Sequence, residues 1–502
     1  MASFQHLLTL CTTVWLVLVC LVAPVTGDGH AGEHCTTIQE IQGEGEETPL
    51  MDQRGLVCEA YVTAVVYNGF FMQQEPTGES TASSGIFVFT FNEPTFLSIG
   101  DEVDVNGTAA EFQGLTQLTD FADVVLTGGE PKFFDYVEVE LPVTDFTDLE
   151  KYEGMLVTMT APRKSSLVIS EYFNFDRFGE VVICSAPDDL GRLFQFTSKN
   201  PPNATLYAEH LDMVRRSCLE IDDNDGSQNR EDPMLGGVIP IDSFNFFRGG
   251  MVVDVLRGPL WIRNNFGPFY RVAPITTDDL EYDPSTNPRE DPPKIKGYDV
   301  TVVVSNVLNY WTTIGFDSSL RGADTEEEFD RQVRKTIPAL LEMEGDIFGL
   351  VELENVEGNT AAKDIAARLT SESDRTYVAA SDVAGIDLIG PDVIKVDVIY
   401  DADKFTLVGY AMLTDDVVDP GLLARSTTGS IFNGQSRVPF AVTLENDDGD
   451  VITVCVNHFK SKGNFNRDAS GLDDDLDDGA AHFNLMRTLS SEALVAWMDT
   501  NP

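Results

Sequence analysis

The chain has 502 residues, enough for about three domains, and its 42% apolar content with 31 Phe excludes a disordered polymer. It carries 83 acidic against 33 basic side chains, a formal net charge of −50. Such a surface repels nucleic acid and anionic membranes at long range, so an anionic substrate has to be met by a local basic spot or by bound cations.

In chain order, residues 7–22 (LLTLCTTVWLVLVCLV) form one apolar stretch followed by small residues at Val25 and Gly27. This pattern predicts a signal peptide over 1–27, and hence a secreted, extracellular protein, with a signal anchor as the alternative because the apolar stretch is slightly long and no Lys or Arg precedes it. No later segment has the roughly 18 apolar residues of a membrane span, so no stable membrane association is expected. Five cysteines lie beyond the signal: Cys35, Cys58, Cys184, Cys218 and Cys455. An oxidising compartment favours two disulfides and one free thiol, and sequence neighbours suggest Cys35–Cys58 and Cys184–Cys218. Cys455, inside VITVCV, reads as a buried, inert thiol.

From 38 to 130 short apolar or alternating runs (LVCEAYVTAVVY, GFFMQ, GIFVFTF, DEVDVNGTAAEF) are separated by Gly, Ser and Asn clusters, which predicts a small β-barrel. A second β-rich module is expected over 141–275, and the proline-rich stretch 276–296 reads as a linker. The acidic run DDNDGSQNRED at 222–232 breaks the EF-hand register and reads as a solvated loop. From 298 to 502 strands alternate with helices, which predicts a layered α/β domain. Thr325 with Glu328 forms a capping box, and Phe329, Val333, Ile337, Leu340 and Leu341 follow at helical spacing. Further helices are expected over 360–370 and 483–497, with GLDDDLDDGAAH at 471–482 a flexible charged loop.

Three polar residues end three apolar runs: Asn306 after VTVVVS, Glu352 after IFGLV and His458 after VITVCVN. Singly, each has a plain structural explanation, as a turn former, a solvated carboxylate or a hydrogen-bonded imidazole. Together they supply the acid, amide and imidazole that metal-assisted phosphodiester hydrolysis requires. A carboxylate offers hard oxygen to Mg²⁺, and an imidazole meets the charge that develops on a phosphoryl oxygen.

The motifs SNVLNYW, RGADTEEEFDRQ, GLVELEN, IKVDVIY, VNHFKSKG and FNLMR resemble, in order, those of secreted nucleases of the endonuclease/exonuclease/phosphatase superfamily, which shares the deoxyribonuclease I fold. Upstream, IQGEGEETPL, GIFVFT, GDEVDVNGTAAEFQGLTQL and YEGMLVTM resemble the OB-fold-containing front half of bacterial extracellular nucleases. The fold implied is multidomain, with N-terminal all-β OB-like modules followed by an α/β sandwich. The resemblance implies catalytic roles for Asn306 and His458, metal binding by Glu352, and phosphate contact by Lys460, Lys462 and, more loosely, Arg437. Asp392 and Lys395 match a further segment without a firm role. The cofactor implied is Mg²⁺ or Mn²⁺, or Ca²⁺, and the partner a DNA or RNA substrate. The family's later Gly-Asp-x-Asn and Asp-His motifs do not occur here, so 298–502 reads as a truncated domain. The leading expectation is a secreted, metal-dependent nuclease. The alternatives are a catalytically inactive binding protein that retains the fold and a phosphodiesterase on phospholipid headgroups. The lack of an apolar insertion run in the sequence counts against the last.

Overall fold

A computed structural model describes residues 34–500 apart from 79, 243, 264–268, 292–295, 316–320 and 465–468; the expected signal peptide lies outside the described residues. The chain divides into two compact units. One comprises the described residues up to Phe194 with His210–Pro288, the other Gln195–Glu209 with the residues from Arg289 on.

In the first unit the strands β1 (Arg54–Val66), β2 (Gly69–Gln73), β3 (Gly85–Phe89), β4 (Glu102–Phe112) and β5 (Leu115–Leu126) close into a barrel in the order β1–β2–β3–β5–β4. Their inward side chains are those of the alternating runs: Val57, Val62, Phe70, Met72, Ile86, Val88, Val103 and Val105 are buried together. The next strands are β6 (Val137–Glu140), β7 (Leu156–Thr160), β8 (Ser165–Glu171), β9 (Val181–Pro187) and β10 (Cys218–Ile221). A two-stranded ribbon of β11 (Met234–Leu235) and β12 (Ile239–Pro240) follows, then β13 (Val252–Ile262), β14 (Tyr270–Val272) and β15 (Leu280–Asp283). β6 to β10 and β13 to β15 make one sheet, in which β14 bonds both β10 and β13. The barrel and this sheet share one core, which joins Phe71, Phe87 and Leu115 to Val157, Ile183, Leu219, Leu256 and Leu260.

Three expectations change here. The stretch 276–296 is not linker throughout: β15 pairs with β13 from Val252↔Asp283 to Leu256↔Leu280, so alternation at Leu280 and Tyr282 overrides the neighbouring prolines. The acidic run from 222 is not solvated at its start, because Asp222 and Asp223 are buried and Asp222 accepts from Arg271 at 2.6 Å. Cys455 is half-buried rather than buried, with burial raising its thiol to about 11. The suggested disulfides are formed: Cys35–Cys58 ties the chain ahead of the barrel to β1, and Cys184–Cys218 joins β9 to β10.

The first unit holds an unusual set of buried acids. Glu153 is fully buried with one oxygen accepting from the Thr116 N–H at 3.0 Å and the other unpartnered. Burial and the neighbouring Glu150 carboxylate push it well above the usual carboxylate range. Burial likewise raises Glu150, Glu220 and Asp223 to about 7 each. A carboxyl whose folded pKa is raised contributes stability that is complete below its unfolded value near 4 and is lost as pH rises through the folded value. The unfolding temperature of this unit is therefore expected to fall between pH 5 and pH 8. A scan in the same buffers that rises over this interval would contradict that assignment.

In the second unit β16 (Val302–Tyr310), β17 (Ile347–Glu354), β18 (Tyr377–Ala379) and β19 (Ile394–Asp401) form a mixed sheet ordered β16–β17–β19–β18. An antiparallel sheet contains β20 (Phe405–Met412), β21 (Phe440–Asn446) and β22 (Val451–Val456). The capping box at Thr325 opens the helix Glu326–Glu342, which packs with Thr360–Ser371 on one face of the mixed sheet around Ile337, Leu340, Phe348 and Ile365. Val351, Val396 and Val398 from the other face meet Phe440, Val442 and Val456 of the second sheet, with Met486, Leu489 and Trp497 of the helix Asn484–Met498 in the same core. The loop 471–482 is tied down: Asp473 is buried, accepts from the Met486 N–H at 2.9 Å and from the Thr427 hydroxyl at 2.7 Å, and so caps the last helix.

Candidate active site

Asn306 and Glu352 sit inside strands that continue to Tyr310 and Glu354, rather than at strand ends. What turns them out is irregular pairing. Between β16 and β17 the register jumps from Asn306↔Val351 to Tyr310↔Leu353, and between β17 and β19 from Val351↔Val396 to Leu353↔Lys395. Against β19 Glu352 is thus the extra residue, a bulge that re-aims its side chain while the ladder goes on; against β16 the surplus is on the other strand, where Val307, Leu308 and Asn309 face Glu352 alone. Its φ of +68°, with +53° at Leu308 and +48° at Asn309, places three non-glycine residues in the left-handed region around one point. Strain of this kind collects where surrounding structure holds a functional group in place.

The side chains meet as a result. The Asn306 amide donates to Glu352 Oε1 at 2.7 Å, and the Asn309 N–H donates to Oε2 at 3.1 Å. Asn306 Oδ1 in turn accepts from the Leu308 N–H at 2.8 Å, which closes the turn that delivers Asn309. His458 arrives from the other sheet, two residues beyond β22, with Nε2 at 3.6 Å from Glu352 Oε1. Its carbonyl accepts from the Arg437 N–H at 3.0 Å, which ties the two segments together. Burial and the Arg437 guanidinium hold the imidazole below its ordinary value, against a weaker upward pull from Glu352 and Asp392. At pH 7 His458 is therefore neutral, and its approach to Glu352 is an imidazole–carboxylate contact rather than an ion pair. Its Nδ1 is buried without a partner.

Arg437 is held by Asp392, with Nε at 3.3 Å from Oδ2. That separation is an ion pair without hydrogen-bond alignment, since Nε counts among the buried donors lacking a hydrogen-bond partner. Lys460 is half-buried; its N–H donates to Ser436 Oγ at 3.0 Å and its ammonium lies 4.5 Å from the centre of the Phe483 ring. Lys462 is exposed. Lys395 is not at the site. It is fully buried, donating to Asn359 at 2.5 Å and to Asp397 at 3.0 Å.

Two positioning residues escaped the sequence reading, although they stand beside Glu352 in GLVELEN. Glu354 is buried and accepts from the N–H groups of Thr312 and Thr313 at 2.9 and 3.1 Å. The Asn355 amide donates to the carbonyls of Ile389, Gly390 and Asp392 at 3.2, 3.0 and 2.8 Å, which fixes the loop that carries Asp392. Three polar residues within four positions at the end of an apolar strand were the available signal.

Among the described residues no group of three or more His, Cys, Asp or Glu side chains is placed to hold a metal ion. The donor set fits a hard divalent cation even so. Glu352 presents a carboxylate whose hydrogen-bond donors are neutral amides, and Mg²⁺ is commonly held by one or two carboxylates with water and phosphate oxygens completing its shell.

No family model and no curated protein matches the chain. Solved structures similar to parts of it are endonuclease/exonuclease/phosphatase proteins and relatives of that fold. One from Bacteroides vulgatus is 15% identical, with 33% of this chain and 54% of that chain covered, at a TM-score of 0.22. The human Nocturnin catalytic domain with bound sulfate anion is 15% identical over 40% of this chain and 58% of its own, at 0.24. A mannosyl-6-phosphatase from Bacteroides thetaiotaomicron is 18% identical over 33% and 53%, at 0.22. The chain spans about half the length of these structures. Overlaps of this extent carry no argument, and the functional reading rests on the residues themselves.

Proposed function

We propose that the protein is a secreted, divalent-metal-dependent phosphodiester hydrolase acting on extracellular DNA or RNA. The observation that carries this reading is the convergence of Asn306, Glu352 and His458 from two sheets onto one carboxylate. Glu352, oriented by the Asn306 amide and the Asn309 N–H, would hold the cation. Once bound, the cation supplies positive charge to a phosphoryl oxygen. Neutral His458 faces the same place, and the negative charge of an incoming phosphate raises its affinity for a proton, which suits it to donate to the leaving oxygen. Arg437, steadied by Asp392, adds fixed positive charge beside it. Against a net charge of −50, these groups concentrate attraction at one spot. The two disulfides and the apolar stretch 7–22 support an oxidising, extracytoplasmic setting.

The test is cleavage of single-stranded DNA, duplex DNA and RNA by the product of the complete open reading frame, with and without a chelator. Metal-dependent cleavage lost in Glu352→Gln supports the reading; inertness towards all three substrates with Mg²⁺ or Mn²⁺ would overturn it. Lys460→Ala and Lys462→Ala are expected to weaken substrate binding and lower the slope of log affinity against log salt by about one unit each, with a smaller effect on turnover than at His458.

A further inference from the structure

A cavity of about 400 Å³ lies within the first unit, between the barrel and the end of β13. Its walls carry Phe71, Phe87 and Phe89 from β2 and β3, Phe112 from the end of β4, Tyr67 from the β1–β2 turn, and Trp261 from β13. Phe71 and Phe87 are buried with their ring centres 5.0 Å apart, while Tyr67 and Phe112 are 41% and 55% exposed. Two rings are seated on glycines. A Cβ at Gly69 would fall 2.6 Å from Cζ of Phe87, and one at Gly226 would fall 2.7 Å from Cε2 of Tyr67. The chain therefore gives up side chains at two places where rings of the wall have to lie.

The polar groups are few, as in a site that orients one small ligand. Asn68, Gln117 and Asn224 offer amides, and Arg263 is the single charged residue among the described residues of the lining. Arg263 Nε lies 3.3 Å from Gln113 Oε1. Acids also act on Tyr67: Asp225 is paired with Arg230 at 2.5 Å, while Asp222 shares Arg271 with Glu180 and Glu220. Trp261, Ile262 and Arg263, at and just beyond the end of β13, complete the described lining.

We propose that this cavity binds one nucleoside monophosphate, with its base among the aromatic rings and its phosphate at Arg263. Aromatic walls accept a planar π-system, amides pair with base edges, and a guanidinium pairs with phosphate. The choice of a nucleotide among planar anionic ligands rests on the proposed phosphodiesterase activity, whose products include such groups. None of the candidate hydrolytic residues lines the cavity.

The test titrates the full chain carrying His458→Ala with the four deoxynucleoside monophosphates, the matching nucleosides, inorganic phosphate and a dT₁₂ oligonucleotide, followed by calorimetry. At least one monophosphate is expected to bind saturably at one per chain, with its nucleoside weaker and inorganic phosphate not measurably bound. Phe112→Ala, at an exposed position that leaves the fold intact, should weaken binding about tenfold. Arg263→Gln should reduce the monophosphate to the affinity of its nucleoside. No saturable binding of any monophosphate at millimolar concentration overturns the proposal, as does binding unchanged by Phe112→Ala. Tighter binding of dT₁₂ than of every monophosphate overturns it too, in favour of a strand-binding groove. Because the readout is binding in a His458→Ala background, an inert hydrolytic site and an empty cavity give different results.

Discussion

His458→Ala is expected to lower the proposed metal-dependent phosphodiester hydrolysis by about two to four orders of magnitude, the range for losing a positioned acid–base group. The loss falls on kcat, because the imidazole acts on charge that forms only as the bond breaks. Its pH profile is part of the prediction. With burial and Arg437 holding the free imidazole below its ordinary value, and bound phosphate raising it, kcat/KM reports the lower value and kcat the higher one. His458→Gln, which keeps a neutral hydrogen-bond donor but cannot exchange a proton, should abolish that pH limb while retaining substrate affinity. A variant that lost affinity alone, with kcat and its pH profile intact, would make His458 a binding residue.

Arg271→Met is expected to destabilise the first unit by about 3–5 kcal/mol at pH 8, the range for stranding a buried charge by removing its partner. Arg271 is 1% exposed and lies 2.7 Å from Glu180, 2.8 Å from Glu220 and 2.6 Å from Asp222, so one guanidinium serves three carboxylates. Without it the acids can relieve their repulsion only by taking up protons, which raises the pKa values they would have in the folded variant. Stability held by protonation is lost as pH rises through those values. The deficit should therefore be largest at pH 8 and shrink towards pH 5, when denaturant midpoints are compared at both. An equal loss at the two pH values would mean that the methionine disturbs packing rather than charge.

The sequence exposed some of this architecture and hid the rest for identifiable reasons. Asn306, Glu352 and His458 were legible as candidates because together they place an amide, an acid and an imidazole after three apolar runs. Their mutual orientation was not, because the irregular pairing around Glu352 depends on how β17 meets β16 and β19, strands remote in sequence. The Arg437–Asp392 pair joins two loops whose approach no local pattern encodes. The capping box at Thr325 marked its helix correctly because the signal is local and chemical. β15 was missed because prolines after 283 masked a four-residue alternation, and its partner strand lies earlier in the chain. Arg271 stood in plain view within FYRVAP, where one cation inside an apolar run already implied buried acids nearby.

The central claim is that Glu352, steadied by Asn306 and facing His458, is the cation-holding group of a phosphoryl-handling site. Titration of the protein with Mn²⁺, observed both by calorimetry and through paramagnetic broadening of the His458 imidazole resonances, tests it most directly. With one carboxylate at the site, weak binding is predicted, with His458 the histidine most broadened and both signals lost in Glu352→Gln. Tight binding that leaves His458 sharp and survives Glu352→Gln would place the metal elsewhere and contradict the account.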